Sequence, residues 1–424
     1  MIVLGRIQKF VGDEDGAIAV PLALLFPVLI GMLSLAVEYG SWQTKRAELQ
    51  NLADAAVYSG AIQLIQGASA TTVQNTIAQI TDMSFETGAN PSVSYSVPPT
   101  LGVYAGQAEY IEVSITKVVP RLLSKLFASD DVIIKVRAVA NFGGGQTTAC
   151  MLALSDNASS AIEVGGSADA KFFGCSLASN STSDRAFVMN GGSVQVEAGC
   201  IDVAGDVVYT SNLILTSCPD PRILQPKTMD PYAQVNVPNV SLISDCQAGG
   251  NFKDVTLTPG ANSISGTPYA CFASSVAFQG DVTLEPGLYI IKDGGLNINS
   301  NAQITGTGVT IMFANTADLS VNGTAVLNLT APTSGEFAGI LFMGERTGQV
   351  MTHNFNGNAG SQLDGVFYFP KDEFSYTGNS TAASNCVQFL SATILITGNA
   401  NLNVGCAPSS GKTIYANVRI SLKE

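Results

Sequence analysis

The chain is poor in charge and nearly without histidine. Only 12% of its residues are charged, while 46% are hydrophobic. A disordered chain shows the opposite balance, so this composition belongs to a folded protein. Cations are scarce, with 20 Lys and Arg against 33 Asp and Glu and a net charge of −13. Neutralising phosphates needs clustered cations, so no nucleic-acid partner is expected. The one histidine is His353, and no C-x-x-C pair occurs, which argues against a zinc site. Any Ser-His-Asp or Cys-His centre would have to use His353, whose surroundings read as a turn between repeats. No glycine-rich phosphate loop opens a helix. The stretch Asp156-Asn-Ala-Ser159-Ser160 misses the D-x-S-x-S spacing of a metal-dependent adhesion site. No catalytic residue, cofactor or metal is therefore assigned. The carboxylates and cations that a glycan-active enzyme would draw on are Asp364, Asp372, Glu373, Lys371, Glu345 and Arg346. They read as solvated turn residues.

What the chain does have is one long greasy run. Gly16–Val37 contains no charge and includes Pro21 and Pro27. As a helix it spans about 33 Å, against a hydrocarbon core of about 30 Å. A cleaved signal peptide and a buried core helix are the competing readings. The run is too long for the first, and Asp13, Glu14 and Asp15 precede it. A transmembrane helix over 16–37 fits best, with 1–15 as a cytoplasmic N-terminus. Helical spacing continues past the lipid. Leu49, Leu52, Ala53, Ala56, Val57, Gly60 and Leu64 make one apolar stripe, so residues 38–66 continue the anchor as an amphipathic helix.

All eight cysteines follow the anchor: Cys150, Cys175, Cys200, Cys218, Cys246, Cys271, Cys386 and Cys406. An even set on one side of a membrane helix points to disulfides in an oxidising compartment, with buried free thiols as the alternative. Disulfides would place the bulk of the chain outside the cytoplasm, in the periplasm or on the cell surface. Lys and Arg flank the run on both sides and leave orientation open.

Residues 67–145 read as a small α+β unit. It has a weak helix near Thr72–Met83, strands at Tyr110–Thr116 and Val132–Asn141, and a short helix at Pro120–Phe127 between them. From 146 to 424 the text changes to short β-branched runs and Gly/Asn corners. Cys150, Cys175 and Cys200 stand 25 residues apart, with similar phrases around them. A fixed period signals a repeat architecture. About 275 residues at that period give roughly ten coils of a right-handed parallel β-helix. An immunoglobulin-like sandwich pair is the alternative, but it predicts no such period. Equivalent positions on successive coils lie about 4.8 Å apart, within disulfide reach. Sequence neighbours, Cys386 with Cys406 and Cys246 with Cys271, are the preferred partners. The proline-rich stretch Cys218–Ala233 breaks the period, as cover for a sheet edge or as an insertion.

A family can be set beside these residues. The opening DEDGAIAVPLALLFPVLIGMLSLAVEYGSWQTKRAELQNLADAAVYSGA resembles the N-terminus of TadE/TadG-like proteins of Tad (Flp) pilus systems. Gly16, Pro27, Glu38-Tyr39-Gly40, Leu49-Gln50-Asn51 and Ala53-Asp54-Ala55-Ala56 carry the likeness. The stretch Val118–Phe127 and the phrases Pro286–Phe313 and Ala331–Met343 are similar to later segments of TadG-related chains. The resemblance implies a single-pass inner-membrane protein that serves as minor pilin, pseudopilin or assembly factor in surface attachment. Its helix would meet inner-membrane lipid and other pilin-like or Tad assembly proteins. In processed pilins a glutamate stands fifth after the cleavage glycine. Pro21 stands there in this chain, which fits the TadG branch and speaks against cleavage after Gly16. Two other functions remain open: an adhesin that binds a surface glycan through the β-helix, and a β-helix polysaccharide-active enzyme.

Overall fold

The computed structural model describes residues 19–65, 68–82, 91–126, 128–143, 147–356, 360–377, 386–398, 401–404, 409–417 and 419–423. The chain forms two compact units. One contains the residues up to 64, 68–144 and 420–424, and the other is Gly145–Arg419.

In the first unit a single helix, α1 (Ala19–Ile65), runs 47 residues. Pro21 lies in its first turn, where a missing N–H costs nothing, and Pro27 lies inside it. The two halves differ in burial. Leu24, Leu33 and Val37 are 72%, 68% and 64% exposed, whereas Leu49 is 2% exposed. The buried half packs Leu49, Ala53, Ala56, Val57 and Ala61 on an antiparallel sheet. That sheet is β1 (Ser92–Ser96), β2 (Tyr110–Val119) and β3 (Val132–Asn141), joined by a last strand, Ser421–Leu422. Ile111, Val113 and Ile115 alternate inward toward the helix, as period-2 patterning requires. A second helix, α2 (Ala70–Asp82), adds Val73 and Ile77 to the same core.

Two expectations need correcting here. Residues 120–126 hold no α-helix, only a 3-10 turn at Ser124–Leu126, because the amides of Leu122 and Ser124 bond to Glu38 instead. The chain end is not solenoid either. Ser421 and Leu422 pair with Asn141 and Ala140 of β3, so the unit that begins with α1 also receives the C-terminus.

The second unit is a parallel β-solenoid of about ten coils with three short strands per coil. On one face an inner ladder runs Tyr289, Ile311, Phe342, Phe367, Phe389, Met151, Leu177 and Ile201. It lies in the central core. The ladder also shows that coils do not stack in chain order. Strand Cys386–Ile396 pairs with Thr147–Ala153 and Ile162–Gly165, and Asn401–Val404 pairs with Asp169–Phe172. The first three coils, which carry the 25-residue period, therefore continue the stack beyond the last coil. Coil length varies elsewhere: Met312 pairs with Met343, but Leu288 pairs with Thr310. Corners need residues that accept unusual backbone. Gly339 has φ +79°, and a Cβ there would collide with the carbonyl of Ser410.

The strands of that face are buried on both sides, as in Gly287–Ile291. Their outer ladder, Ile290, Met312, Met343, Tyr368, Leu390 and Leu152, is covered by residues 222–246. This proline-rich strap carries the chain from the end of the first coils to the far end of the solenoid. It pairs with the edge at its start, where Arg222 bonds Ile201 and Val203. It then crosses the face, so it is more than the edge cover or insertion expected from its prolines.

Candidate functional site

The anchor is the feature that directs function, and its chemistry starts at Glu38. This is the first charge after the apolar run, yet it is 4% exposed. Its carboxylate accepts the backbone amides of Leu122 at 2.7 Å and Ser124 at 2.6 Å. Burial pushes its pKa up, but those amides and the Ser124 hydroxyl outweigh burial and hold it below the usual value. Four residues on, Trp42 lies under the Arg121 guanidinium, 5.4 Å from the ring centre. Further along, Gln50 Nε2 donates to the Arg137 carbonyl at 3.0 Å. The helix is thus pinned to its sheet from the first residue beyond the charge-free run. Of the anchor residues, Val37 and Pro27 lie on bare helix, Pro21 in the first turn, and Gly16 outside the described residues.

The described cysteines are paired. Cys150–Cys175 links successive coils with Cα atoms 5.7 Å apart, and Cys200–Cys218 ties the top coil to the start of the strap at 5.5 Å. Cys246–Cys271 fastens the end of the strap at 4.4 Å. Cys386 is disulfide-bonded as well. Its expected partner, Cys406, lies outside the described residues.

The strap is held by side chains at nearly every coil. Asp202, buried, takes Arg222 Nε at 2.9 Å. Asn180 and Thr228 exchange hydrogen bonds at 2.8 and 2.7 Å. Tyr368 donates to Asp230 at 2.8 Å, and Arg346 donates to the carbonyls of Tyr232 and Val235 at 2.7 and 2.8 Å. Tyr232 is fully buried and accepts the Lys412 amide at 2.6 Å, and burial pushes its phenol up to about 12.

The residues weighed for catalysis are spread over structural tasks. His353 is not in a turn. It sits in strand Thr352–Asn356 with its ring inside the solenoid, fully buried. Its Nδ1 accepts the Leu319 amide at 3.1 Å, and its Nε2 faces Asp372 Oδ2 at 3.3 Å. Nδ1 must therefore be unprotonated, and burial lowers the pKa against the pull of Asp372. Asp372 is 1% exposed and also binds Lys371 at 2.6 Å and the Met351 amide at 2.8 Å, so neither is a solvated turn residue. Asp364 binds the backbone and hydroxyl of Ser409, and Glu345 accepts the Asn315 amide. Glu373 accepts the Thr393 hydroxyl, and Arg346 serves the strap. Among the described residues no three His, Cys, Asp or Glu side chains are placed to hold a metal ion. A surface groove of about 630 Å³ lies near the end of the strap. There Asp245 is already bonded to Tyr269 at 2.7 Å and Asn262 at 2.6 Å.

Sequence reading had no sign that Glu38 turns inward. It also missed Tyr232 and Asp230 and gave Arg346 no part in holding the strap, although the uninterrupted apolar runs of Gly308–Phe313 and Gly339–Met343 carry the signature of strands buried on both faces.

Comparison with known proteins meets the anchor directly. Residues 16–63 match the model of a family described as putative Flp pilus-assembly TadE/G-like. The chain also shows a loose likeness to the crystal structure of the competence-associated pilin ComZ from Thermus thermophilus. It has 10% identity over 79% of this chain and 84% of that one, at a TM-score of 0.21, too low to bear on fold. No curated protein matches the chain. The long helix and its packed half are thus similar to a TadE/G-like segment, and that helix is apolar and long enough to cross a membrane, which together support a membrane-anchored, pilus-related protein.

Proposed function

We propose that the protein is a Tad (Flp) pilus assembly protein or minor pilin of the TadG-related branch, which displays its solenoid on the outer side of the inner membrane. The observation that carries this is α1: one continuous helix, bare and uncharged over its first half, packed on its own sheet over the second. Such a helix can move from bilayer into a bundle of other pilin-like helices, because both surroundings are apolar and association rests on packing. The bonded cysteines favour the oxidising side of the membrane for the solenoid. Its role is structural rather than catalytic, which the burial of His353 and Asp372 supports. Deleting the gene should shorten or abolish pili and reduce attachment. Normal pili and attachment in the deletion strain would overturn the reading.

A second reading, an adhesin for a surface glycan, has one specific support. On an uncovered face, Thr256, Thr283, Thr305, Asn328 and Gln362 stand in register on successive coils, all exposed. The result is a flat polar ladder at the strand spacing of about 4.8 Å. Glycan binding lost on Thr283→Arg and Thr305→Arg would favour it over a purely architectural role.

A further inference from the structure

The hairpin of β2 and β3 ends beside the point where α1 leaves its apolar run. Two observations fix that level within the unit. Glu38, immediately after Val37, holds the amides of Leu122 and Ser124 in the hairpin tip. Gln50, about 18 Å further along the helix axis, holds the carbonyl of Arg137, about 16 Å up the strand from Val132. Helix and hairpin therefore run side by side, and the tip faces back toward the anchor.

The tip differs from the rest of the sheet. Farther up, the outer face is polar, with Glu112 paired to Arg137 at 3.1 Å. At the tip it becomes apolar. Val118 and Ile133 stand directly opposite each other, 51% and 59% exposed. Beyond them Leu122 is 76% and Leu123 47% exposed. Four bare aliphatic side chains thus project beside a helix that has just emerged from hydrocarbon. Charges around them are mixed, with Lys117, Arg121, Lys125 and Lys135 against Asp130 and Asp131, so it is the exposed aliphatic set, and not the charge, that calls for an apolar surrounding.

We propose that this tip is a second membrane contact, with Val118, Leu122, Leu123 and Ile133 buried in the leaflet from which α1 emerges. The ligand is the bilayer itself, of zwitterionic or anionic lipid alike. Through the Glu38 bonds the contact fixes the height and tilt at which the unit stands on the membrane. The inference rests on α1 being a membrane anchor.

The test uses the full chain in phosphatidylcholine vesicles. Trp42 is the only tryptophan, so Leu122→Trp and, separately, Leu123→Trp are made in a Trp42→Phe background. Val103→Trp is the control, 79% exposed near the other end of the same sheet. The expected result is a blue-shifted emission for both tip variants that is largely quenched by lipid brominated high on its acyl chains. Val103→Trp should emit as in water and stay unquenched. Tip emission equal to that of the control would overturn the proposal while vesicle flotation still upheld the anchor. Blue-shifted but unquenched emission would also overturn it, because a second protein copy would then cover the tip. Failure to float at all would remove both readings together.

Discussion

His353 reports on the solenoid core because it is the only histidine and burial disfavours its charged form. Its ring stacks on Phe369 at 3.9 Å, and its Nδ1 lone pair is occupied by the Leu319 amide. Protonation would break that bond and place a cation in the core, where Asp318, Lys371 and Asp372 are the charged neighbours. The unfolded chain binds this proton near pH 6.5 and the folded chain only lower. Stability from this residue is therefore fully present above about pH 6.5 and is lost as pH falls toward the folded pKa, by at most about 1.4 kcal/mol per pH unit. Urea unfolding at pH 7.5 and 5.5 should show the loss. His353→Gln should flatten the dependence between those two conditions and lower stability at both. A parallel pH dependence in the variant would contradict the assignment. Glu38 makes a second residue-scale case. Glu38→Ala removes the acceptor of two backbone amides, so residues 120–126 should become sensitive to protease in detergent while the solenoid melts as before.

At the scale of elements the strap behaves as a covering layer, and its energetics follow from what it buries. Tyr232 is fully enclosed against Tyr368, with ring centres 5.6 Å apart. Tyr232→Ala should cost about 3–5 kcal/mol, in the range of large aromatic truncations. Leu242 lies on the same strap but is 80% exposed, so Leu242→Ala should change stability by under about 0.5 kcal/mol. Arg346→Gln removes a charged donor to two carbonyls, worth about 1.5–3 kcal/mol, and should expose residues 222–246 to limited proteolysis first. Cys246→Ser opens a loop of 25 residues and should cost about 3 kcal/mol in chemical unfolding. These elements also show how far the sequence could be read. The anchor, α2, strands near β2 and β3, the coil repeat and the Cys246–Cys271 pair were legible, because each follows from a local period or spacing. The strap's path was not. Its prolines say only that it is neither helix nor central strand. The face it covers is written elsewhere, in runs such as Gly308–Phe313 whose outward residues are as apolar as their inward ones.

The whole molecule poses a problem of order that no local pattern announces. Coils at 147–215 stack on the coil at 386–404, so their platform is synthesised last. Period and phrase similarity identify a coil without saying which coil it touches, since every parallel coil presents the same edge. In the solenoid the N-terminal three coils meet the rest through strand Cys386–Ile396, where Phe389 and Leu390 face Met151 and Leu152, and through Asn401–Val404 against Asp169–Phe172. Pairing this distant in sequence must bear the loop-closure entropy before its contacts form, which makes folding slow. A chain truncated after residue 377 keeps residues 147–215 and 222–246 but lacks that coil, the strand Ile414–Ala416 that also pairs with Thr147–Ala149, and the Lys412 amide on Tyr232. If the stack propagates coil to coil, hydrogen exchange in 147–215 should speed up markedly in the truncated chain, whereas strands at 287–330 keep most of their protection. If the first coils instead form an independent block, their protection will survive the truncation, and the dependence on the C-terminal platform is refuted. The permuted order also predicts that unpaired edges persist until synthesis ends. Overproduced truncated chains should therefore aggregate through 147–215, and adding back Cys386–Val404 on a flexible linker should restore both solubility and exchange protection.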